Sequence, residues 1–400
     1  MEEDSGVLEQ IKALCRTQWR YLFTCLAVAG LVLACEAPLD MQAVEEQRKT
    51  PIRKLDAFQD VLTTTQGHAI FVGGSGVVVE FLPPDRTHNM QEKRVLEEVR
   101  EKKGVSDMEE GVRDRAGVKN RAGVKNREGV KNREGVKAMP QTREIARTQI
   151  GEIGQWPNLI SITQCADQSI FALGLDGSLW ARKTLGQWVD MKIDTQETVQ
   201  DLTCAQNNQL WVAAGFGTLL HSLDGGQNWQ RFSLEDDLFL THIDFPNDNI
   251  GYAIGEFGTV LKSTDAGKTW ANLRSTADDF YPLALYFLDT KMGWVAGLDG
   301  EIFITRDGAQ NWHKQETATH APIYKIRKIG EHIFAVGNYG TILEYNGRRW
   351  QSADHIQLGS SGYLRALAGD KDSLFIGGQA LAKRIHLSSS LSAANMAKNN

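Results

Sequence analysis

The stretch that decides the fold is "GTVLKSTDAGKTWANL", residues 258–273. A short apolar strand in it leads into Ser263, Asp265 and Gly267 and then to Trp270. The Asp265 carboxylate is placed to accept backbone N–H groups of its own hairpin, Gly267 permits a positive φ, and Trp270 is large enough to pack between neighbouring sheets. We therefore interpret this motif, an Asp box, as a structural hairpin and not as a catalytic group.

The motif returns at regular intervals along the chain. Two further copies, "SLDGGQNW" and "TRDGAQNW", supply the structural candidates Ser222, Asp224, Gly226, Trp229, Asp307 and Trp312. A leading aromatic residue also recurs every 40 to 42 residues, at Phe171, Trp211, Tyr252, Trp294 and Phe334. A fixed period near 40, made only of short strands and Gly-rich turns, is typical of β-propeller blades.

Each repeat contains enough strands for one blade. In the last full repeat, "HIFAV" is a continuously apolar strand, "GNYGT" a turn and "TILEY" a second strand. An inner strand before the aromatic and an outer strand after the Asp box bring the number to four. Related runs at 69–81 and 373–387 extend the pattern, so we predict an all-β fold, a β-propeller of about seven four-stranded blades over residues 51–388. Residues 51–60 are expected to supply the outer strand of the last blade and so close the ring.

The N-terminal segment predicts export. Basic residues precede an apolar run of about 15 residues, which suits a signal peptide better than a membrane-spanning helix of about 20. The run ends in "VLAC", which resembles a bacterial lipobox. We predict a signal peptide over 1–34, lipidation at Cys35 and a linker over 35–50, which would anchor the protein on the periplasmic or lumenal face of a membrane. A plain signal peptide or an uncleaved anchor is the alternative.

Composition excludes some partners. The formal net charge of -6 over 400 residues gives no electrostatic basis for binding nucleic acid. Cys165 and Cys204 occupy similar places in successive repeats; we expect two buried free thiols, with a disulfide in an oxidising compartment as the alternative. Neither Cys nor His residues form a cluster of the metal-binding type, so no metal or cofactor is expected.

A long insertion interrupts the repeats at about residues 84–145. It contains the polar, helix-like "NMQEKRVLEEVREKK" and a tandem basic hexapeptide at 115–138. Glycine at every sixth position opposes a stable helix, and one Val per hexapeptide cannot build a core. We predict that the insertion is largely disordered, with a lipid-binding arm as the alternative, and that 389–400 is a disordered tail.

The repeated "FAVGNYGTIL" of residues 334–343, followed by a degenerate Asp box, resembles the propeller family of photosystem II assembly and stability factors, which has many bacterial relatives. The resemblance covers about residues 51–388 without the insertion. It implies a non-enzymatic propeller that binds a membrane-protein or other protein client, with no small-molecule substrate, and it agrees with a lipid anchor.

The strand order separates the two rims of the propeller. Asp-box turns lie on one rim, and the turns between second and third strands lie on the other, which is the better place for recognition. Its candidate partner-binding residues are Phe216, Glu256, Phe257, Asp299 and Tyr339, near loops with Asp236, Asp237, Asp278, Asp279 and Tyr281. The alternative is that the aromatic residues fill the centre of the ring.

A rival function is a secreted Asp-box propeller glycoside hydrolase of the sialidase type. Such an enzyme needs two positioned carboxyl groups, or a Tyr nucleophile with a cluster of arginines. We find no distinctive motif or arginine-rich set near the inner strands, and we predict a binding scaffold that is not an enzyme.

Overall fold

The computed structural model describes residues 50–83, 145–152, 154–183, 186–273, 280–359 and 361–387. The predicted signal peptide, Cys35, nearly all of the insertion and the C-terminal tail lie outside these residues. The described residues from Lys54 onward form one compact unit. Its strands build seven antiparallel sheets, which confirms the predicted β-propeller. Within the described ranges, no helical segment has the length and apolarity that a membrane crossing needs.

The first four blades have four strands each, numbered from the central axis outward. Blade one contains β1 (Phe58–Thr63), β2 (Ala69–Gly73), β3 (Val77–Phe81) and β4 (Ile145–Gln149). Blade two contains β5 (Leu159–Gln164), β6 (Ser169–Gly174), β7 (Ser178–Lys183) and β8 (Val189–Lys192). Blade three contains β9 (Val199–Cys204), β10 (Leu210–Ala214), β11 (Thr218–Ser222) and β12 (Gln230–Ser233). Blade four contains β13 (Leu240–Asp244), β14 (Gly251–Gly255), β15 (Val260–Ser263) and β16 (Ala271–Leu273).

The remaining three blades follow the same order. Blade five contains β17 (Pro282–Phe287), β18 (Gly293–Gly297), β19 (Ile302–Thr305) and β20 (His313–Gln315). Blade six contains β21 (Ile323–Ile329), β22 (His332–Gly337), β23 (Ile342–Tyr345) and β24 (Trp350–Ser352). Blade seven contains β25 (Leu364–Gly369), β26 (Ser373–Gly378) and β27 (Leu381–His386), with no fourth strand among the described residues.

Burial explains the continuous apolar runs of the second strands. Every residue of β10 and β14 is buried, because neighbouring blades cover both faces of these strands. The outer strands β12 and β16 contain only exposed and half-buried residues. The core is therefore divided into layers between blades, and each layer takes side chains from two successive repeats.

Aromatic residues of the Asp boxes fill these layers. Trp270 of blade four packs edge-on against Trp211 of blade three, with ring centroids 5.7 Å apart. Gly267 sits at φ +82°, and a Cβ there would lie 2.1 Å from the Trp211 ring. The Asp-box glycine thus meets two requirements, left-handed backbone and close approach to an indole.

Each innermost strand has an irregularity at its second residue. In all seven blades the register of β-pairing skips this residue, which is the mark of a β-bulge. The skipped residues form what we call the bulge ring: Gln59, Ile160, Gln200, Thr241, Leu283, Tyr324 and Arg365. A bulge redirects a side chain out of the regular alternation, so the fold provides one special position per blade around the axis.

The prediction for ring closure was wrong. Residues 58–60 belong to the innermost strand of blade one, where Phe58 is fully buried, and not to an outer strand of blade seven. The first and last blades pack directly on each other. The ring centroids of Phe71 and Phe375 lie 6.4 Å apart, and Thr63 Oγ1 donates a hydrogen bond to the Gly369 carbonyl at 3.2 Å. Phe58 and Val61 are buried apolar residues, so this segment forms an innermost strand.

The expectation of two free thiols was also wrong. Cys165 and Cys204 form a disulfide with their Cα atoms 5.3 Å apart. It joins the turn after β5 to the end of β9 and so fastens blade two to blade three. Similar places in successive repeats lie side by side in a propeller, which is why the two sulfurs meet.

Candidate functional site

On the Asp-box rim, the aspartate carboxylates are hydrogen-bonded within their own hairpins. Asp265 Oδ1 accepts the Thr269 N–H at 2.9 Å, and Oδ2 accepts the Thr269 hydroxyl at 2.6 Å. Ser263 Oγ donates to Asp265 and accepts the Gly267 N–H, each at 2.8 Å. Asp224 and Asp307 make equivalent contacts, with Thr305 in place of serine in the latter.

These hydrogen bonds also control protonation. The side-chain bond from Thr269 lowers the pKa of Asp265 from 3.8 to about 2. Bonds from Asn228 and Asn311 lower the pKa of Asp224 and Asp307 to about 2 as well. A carboxylate held ionised by its own hairpin is a poor general acid near neutral pH.

The opposite rim is built from tight hairpin turns. In blade four, Phe257 (φ 57°) and Gly258 (φ 66°) form a two-residue turn closed by the Thr259 N–H, which donates to the Glu256 carbonyl at 3.1 Å. Two successive left-handed residues define a type I′ turn, in which Asn or Gly is favoured and a bulky side chain costs energy. Phe216, Asp299 and Tyr339 occupy the same left-handed position in blades three, five and six.

Large apolar side chains project from these turns. We call the set the apolar rim: Leu175, Phe216, Phe257, Leu298 and Tyr339, one from each of blades two to six. Phe216 is 55%, Phe257 65% and Tyr339 74% exposed, so they do not fill the centre of the ring. Phe216, Phe257 and Tyr339 therefore combine a backbone position that disfavours bulky residues with an exposed aromatic side chain.

The two acidic candidates on this rim differ. Glu256 is half-buried, and its carboxylate accepts the Phe239 N–H at 2.9 Å, so it helps to fix the connection between blades. Asp299 is exposed at the tip of its turn. Tyr281 lines the central cavity, whereas Asp278 and Asp279 lie outside the described residues.

A cavity of 590 Å³ lies at the axis, and all seven bulge-ring residues line it. Turn residues Leu175 and Asn338 also line it, which places its mouth at the apolar rim. The bulge ring contains polar, apolar and aromatic residues, and Arg365 is its one charged residue. Arg365 is exposed, with its guanidinium carbon 4.3 Å from the Tyr324 ring centroid and 5.9 Å from that of Tyr363.

A second layer of polar groups lies beside the ring. Lys325 Nζ pairs with Asp60 Oδ1 at 2.8 Å, and Asp201 Oδ1 accepts the Ser161 hydroxyl at 2.9 Å. His242 faces the cavity, and its Nδ1 is buried with no hydrogen-bond partner in the described part of the chain. Burial lowers the pKa of His242 to about 4, so its imidazole is neutral at neutral pH.

Sequence reasoning missed the cavity. From Ile160 to Arg365, the bulge-ring residues recur every 40 to 42 positions, so aligned repeats would have shown one column of varied chemistry. Among the described residues, no group of three or more His, Cys, Asp or Glu side chains could hold a metal. One arginine, Arg365, lines the cavity, whereas a sialidase requires an arginine cluster.

The blades, Asp boxes and central cavity define an Asp-box β-propeller. Residues 180–278 match the family described as photosynthesis system II assembly factor Ycf48. The photosystem II assembly lipoprotein Ycf48 of Prochlorococcus marinus is 26% identical over 195 residues, which cover 46% of this chain. The matched region spans 58% of that relative's length. These matches confirm the resemblance to photosystem II assembly factors.

Solved structures agree on the fold. Ycf48 bound to a D1 peptide superposes with a TM-score of 0.58 at 12% identity, covering 84% of this chain and 93% of that one. A catalytically inactive virginiamycin B lyase from Staphylococcus aureus gives 0.59 at 9% identity, covering 84% and 96%. A lyase and Ycf48 are thus about equally similar in shape to this chain, and shape alone does not assign the function.

Proposed function

We propose that this protein is a non-catalytic binding scaffold that assists the assembly or stability of a membrane-protein complex, and that its client docks on the apolar rim. The observation that carries the proposal is the exposure of Phe216, Phe257 and Tyr339 at left-handed turn positions. Aromatic side chains with few rotatable bonds are the usual anchors of protein interfaces.

The rim is stiff enough to present these anchors. Turn N–H groups donate to the backbone just before the innermost strand of the same blade, as Glu256 N does to Phe239 O at 3.0 Å and Asn338 N to Pro322 O at 2.9 Å. A preorganised surface loses little conformational entropy when a partner binds. Five successive blades therefore offer an arc of fixed apolar contacts.

The comparisons support the class of client. The Prochlorococcus relative is a photosystem II assembly lipoprotein, and a Ycf48 has been solved with a D1 peptide. By analogy, we assign this chain an exposed peptide segment of a membrane protein as its client. The same relative supports our proposal that Cys35 is lipidated and holds the exported protein at a membrane surface.

The Asp boxes have a different role in this proposal. Asp224, Asp265 and Asp307 close hairpins, and their carboxylates are occupied by donors of those hairpins. They stand on the rim opposite the client. The glycoside hydrolase alternative gains no support, since the saturated carboxylates and the single cavity arginine do not meet its chemical needs.

The test is recovery of client by tagged protein from detergent-solubilised membranes of the source organism, quantified by mass spectrometry. Phe257→Ala with Tyr339→Ala should reduce recovery of the bound membrane protein at least thirtyfold, because loss of a buried interface aromatic costs about 2 kcal/mol or more. The thermal unfolding temperature should stay close to that of wild type, since both side chains are exposed.

A matched control removes apolar surface from the other rim. Leu223→Ala with Leu288→Ala also truncates two exposed side chains, which are 60% and 37% exposed, and should leave recovery unchanged. Full recovery by the Phe257 and Tyr339 double variant would reject the docking site. Hydrolysis of aryl glycosides or sialosides by the purified protein would reject the scaffold itself.

A further inference from the structure

The central cavity has features of a ligand site that does not include Phe257 or Tyr339, although Leu175 of the apolar rim also lines it. We infer that it binds a single carboxylate group on an otherwise uncharged body, with Arg365 pairing to the carboxylate. Such a group occurs at the C-terminus of a peptide or on a small organic acid, and both sources share the chemistry that the cavity would recognise.

Arg365 is positioned to pair with a carboxylate in the cavity. Its guanidinium lies over the rings of Tyr324 and Tyr363, and no ion pair joins it to a carboxylate of the described residues. No hydrogen bond to a described residue occupies its N–H groups. These groups form a fork of N–H donors that matches the two oxygens of a carboxylate.

The wall of the cavity suits an uncharged body. Gln59, Asn158, Gln200 and Asn338 supply amide groups, each with a donor and an acceptor. Leu283 and the tyrosines supply apolar surface. A volume of 590 Å³ falls within the range of about 300 to 1,000 Å³ that is common for small-ligand sites.

The charges in the second layer favour a monoanion. Lys325 is neutralised by Asp60, and Asp201 adds a negative charge to the lining. A dianion or a phosphate would therefore meet one uncompensated cation and a nearby carboxylate. His242 lines the same space as a neutral imidazole, so it adds no positive charge to the site.

The site shares only Leu175 with the apolar rim. Phe257 and Tyr339 do not line the cavity, and Arg365 is not part of the apolar rim. The docking site and the carboxylate site can therefore be rejected independently of each other. The double variant Phe257→Ala with Tyr339→Ala should bind the carboxylate probes as wild type does.

The experiment is isothermal titration calorimetry with two pairs of probes. One pair is 3-phenylpropanoate and 3-phenylpropanamide; the other is the tripeptide Ala-Ala-Phe with a free C-terminus and the same tripeptide with an amidated one. At least one acid should bind wild type, and its amide should bind at least tenfold more weakly. Preference for the tripeptide acid would assign a chain terminus, and preference for phenylpropanoate a small organic acid.

Arg365→Gln should weaken binding of the acid at least tenfold, and Arg365→Lys should weaken it less because the charge is kept. Arg384→Gln is the matched control: it is in the same blade, and its guanidinium lies 5.5 Å from the Phe375 ring, but it does not line the cavity. This control should bind as wild type does. If neither acid binds wild type at millimolar concentration, or if both bind Arg365→Gln equally well, the inference is overturned.

Discussion

Lys325 of blade six and Asp60 of blade one form an ion pair, with Nζ 2.8 Å from Oδ1, and both side chains are less than 10% exposed. The pair reaches past blade seven and so links blade six directly to blade one. Lys325→Met should lower the free energy of unfolding by about 3 to 5 kcal/mol, since it leaves a buried carboxylate without its counter-charge. Urea denaturation followed by tryptophan fluorescence measures this loss.

A double variant distinguishes the lost pair from lost packing. Asp60→Asn together with Lys325→Met removes both charges, and the Asn carbonyl can still accept the Ile162 N–H that Asp60 Oδ2 accepts at 3.2 Å. Most of the lost stability should return. A double variant as unstable as Lys325→Met alone would show that the electrostatic explanation is wrong.

The Asp-box glycine offers a second test, on packing between blades. Gly267→Ala should destabilise the protein by about 2 kcal/mol or more, because the left-handed backbone disfavours Ala and the new methyl group meets Trp211. Gly347→Ala is the control: Gly347 too has a positive φ, of +88°, but nothing lies within 4 Å of its Cβ position. Its smaller loss of stability measures the backbone cost alone, and equal losses would refute the close-contact explanation.

Asp-box carboxylates should make the fold sensitive to acid. The pKa of Asp265 falls from 3.8 to about 2 in the folded protein, so the unfolded chain binds its proton more readily. Its stabilising effect is fully present above pH 4 and is lost as the pH falls toward 2. Asp265→Asn should lower the unfolding temperature at pH 7 and flatten its fall between pH 4 and 2. Asp299→Asn, at an exposed turn, should follow the wild-type curve, and a wild-type slope in the Asp265 variant would contradict the assignment.

The disulfide between blades two and three should contribute to stability. Cys165→Ser with Cys204→Ser opens a cross-link between residues 39 positions apart, and should cost roughly 2 to 4 kcal/mol. Differential scanning calorimetry of wild type with and without dithiothreitol gives the same comparison without mutation. Dithiothreitol should leave the unfolding temperature of the double variant unchanged; a shift there would point to another effect of the reductant.

Much of the fold was predictable from the sequence because each repeat carries the same physical constraints. The spacing of Trp211, Tyr252 and Trp294 gave the period, and the glycines gave the turns. Ring closure was harder, since Phe58 and Val61 mark a buried strand without saying which blade it joins. The disulfide was missed because the lateral contact between Cys165 and Cys204 depends on how adjacent blades are aligned.

The candidate site was likewise predicted only in part. The rim that carries Phe257 and Tyr339 followed from strand order, but their exposure did not, because an aromatic next to a glycine turn can point inward or outward. The cavity was missed because a bulge at Arg365 or Gln200 depends on pairing between strands and leaves no fixed pattern along one strand, so that only an alignment of the repeats brings these positions together.

The bulges also have a consequence for how such a protein can diverge. A residue that the strand pairing skips can change its size or charge while the rest of the ladder stays as it is. Duplicated blades, by contrast, must remain alike where they pack, because each one fits two neighbours. The axis is therefore the place where copies of one repeat can acquire separate identities, so that Tyr324 and Arg365 occupy equivalent positions in adjoining blades with entirely different chemistry.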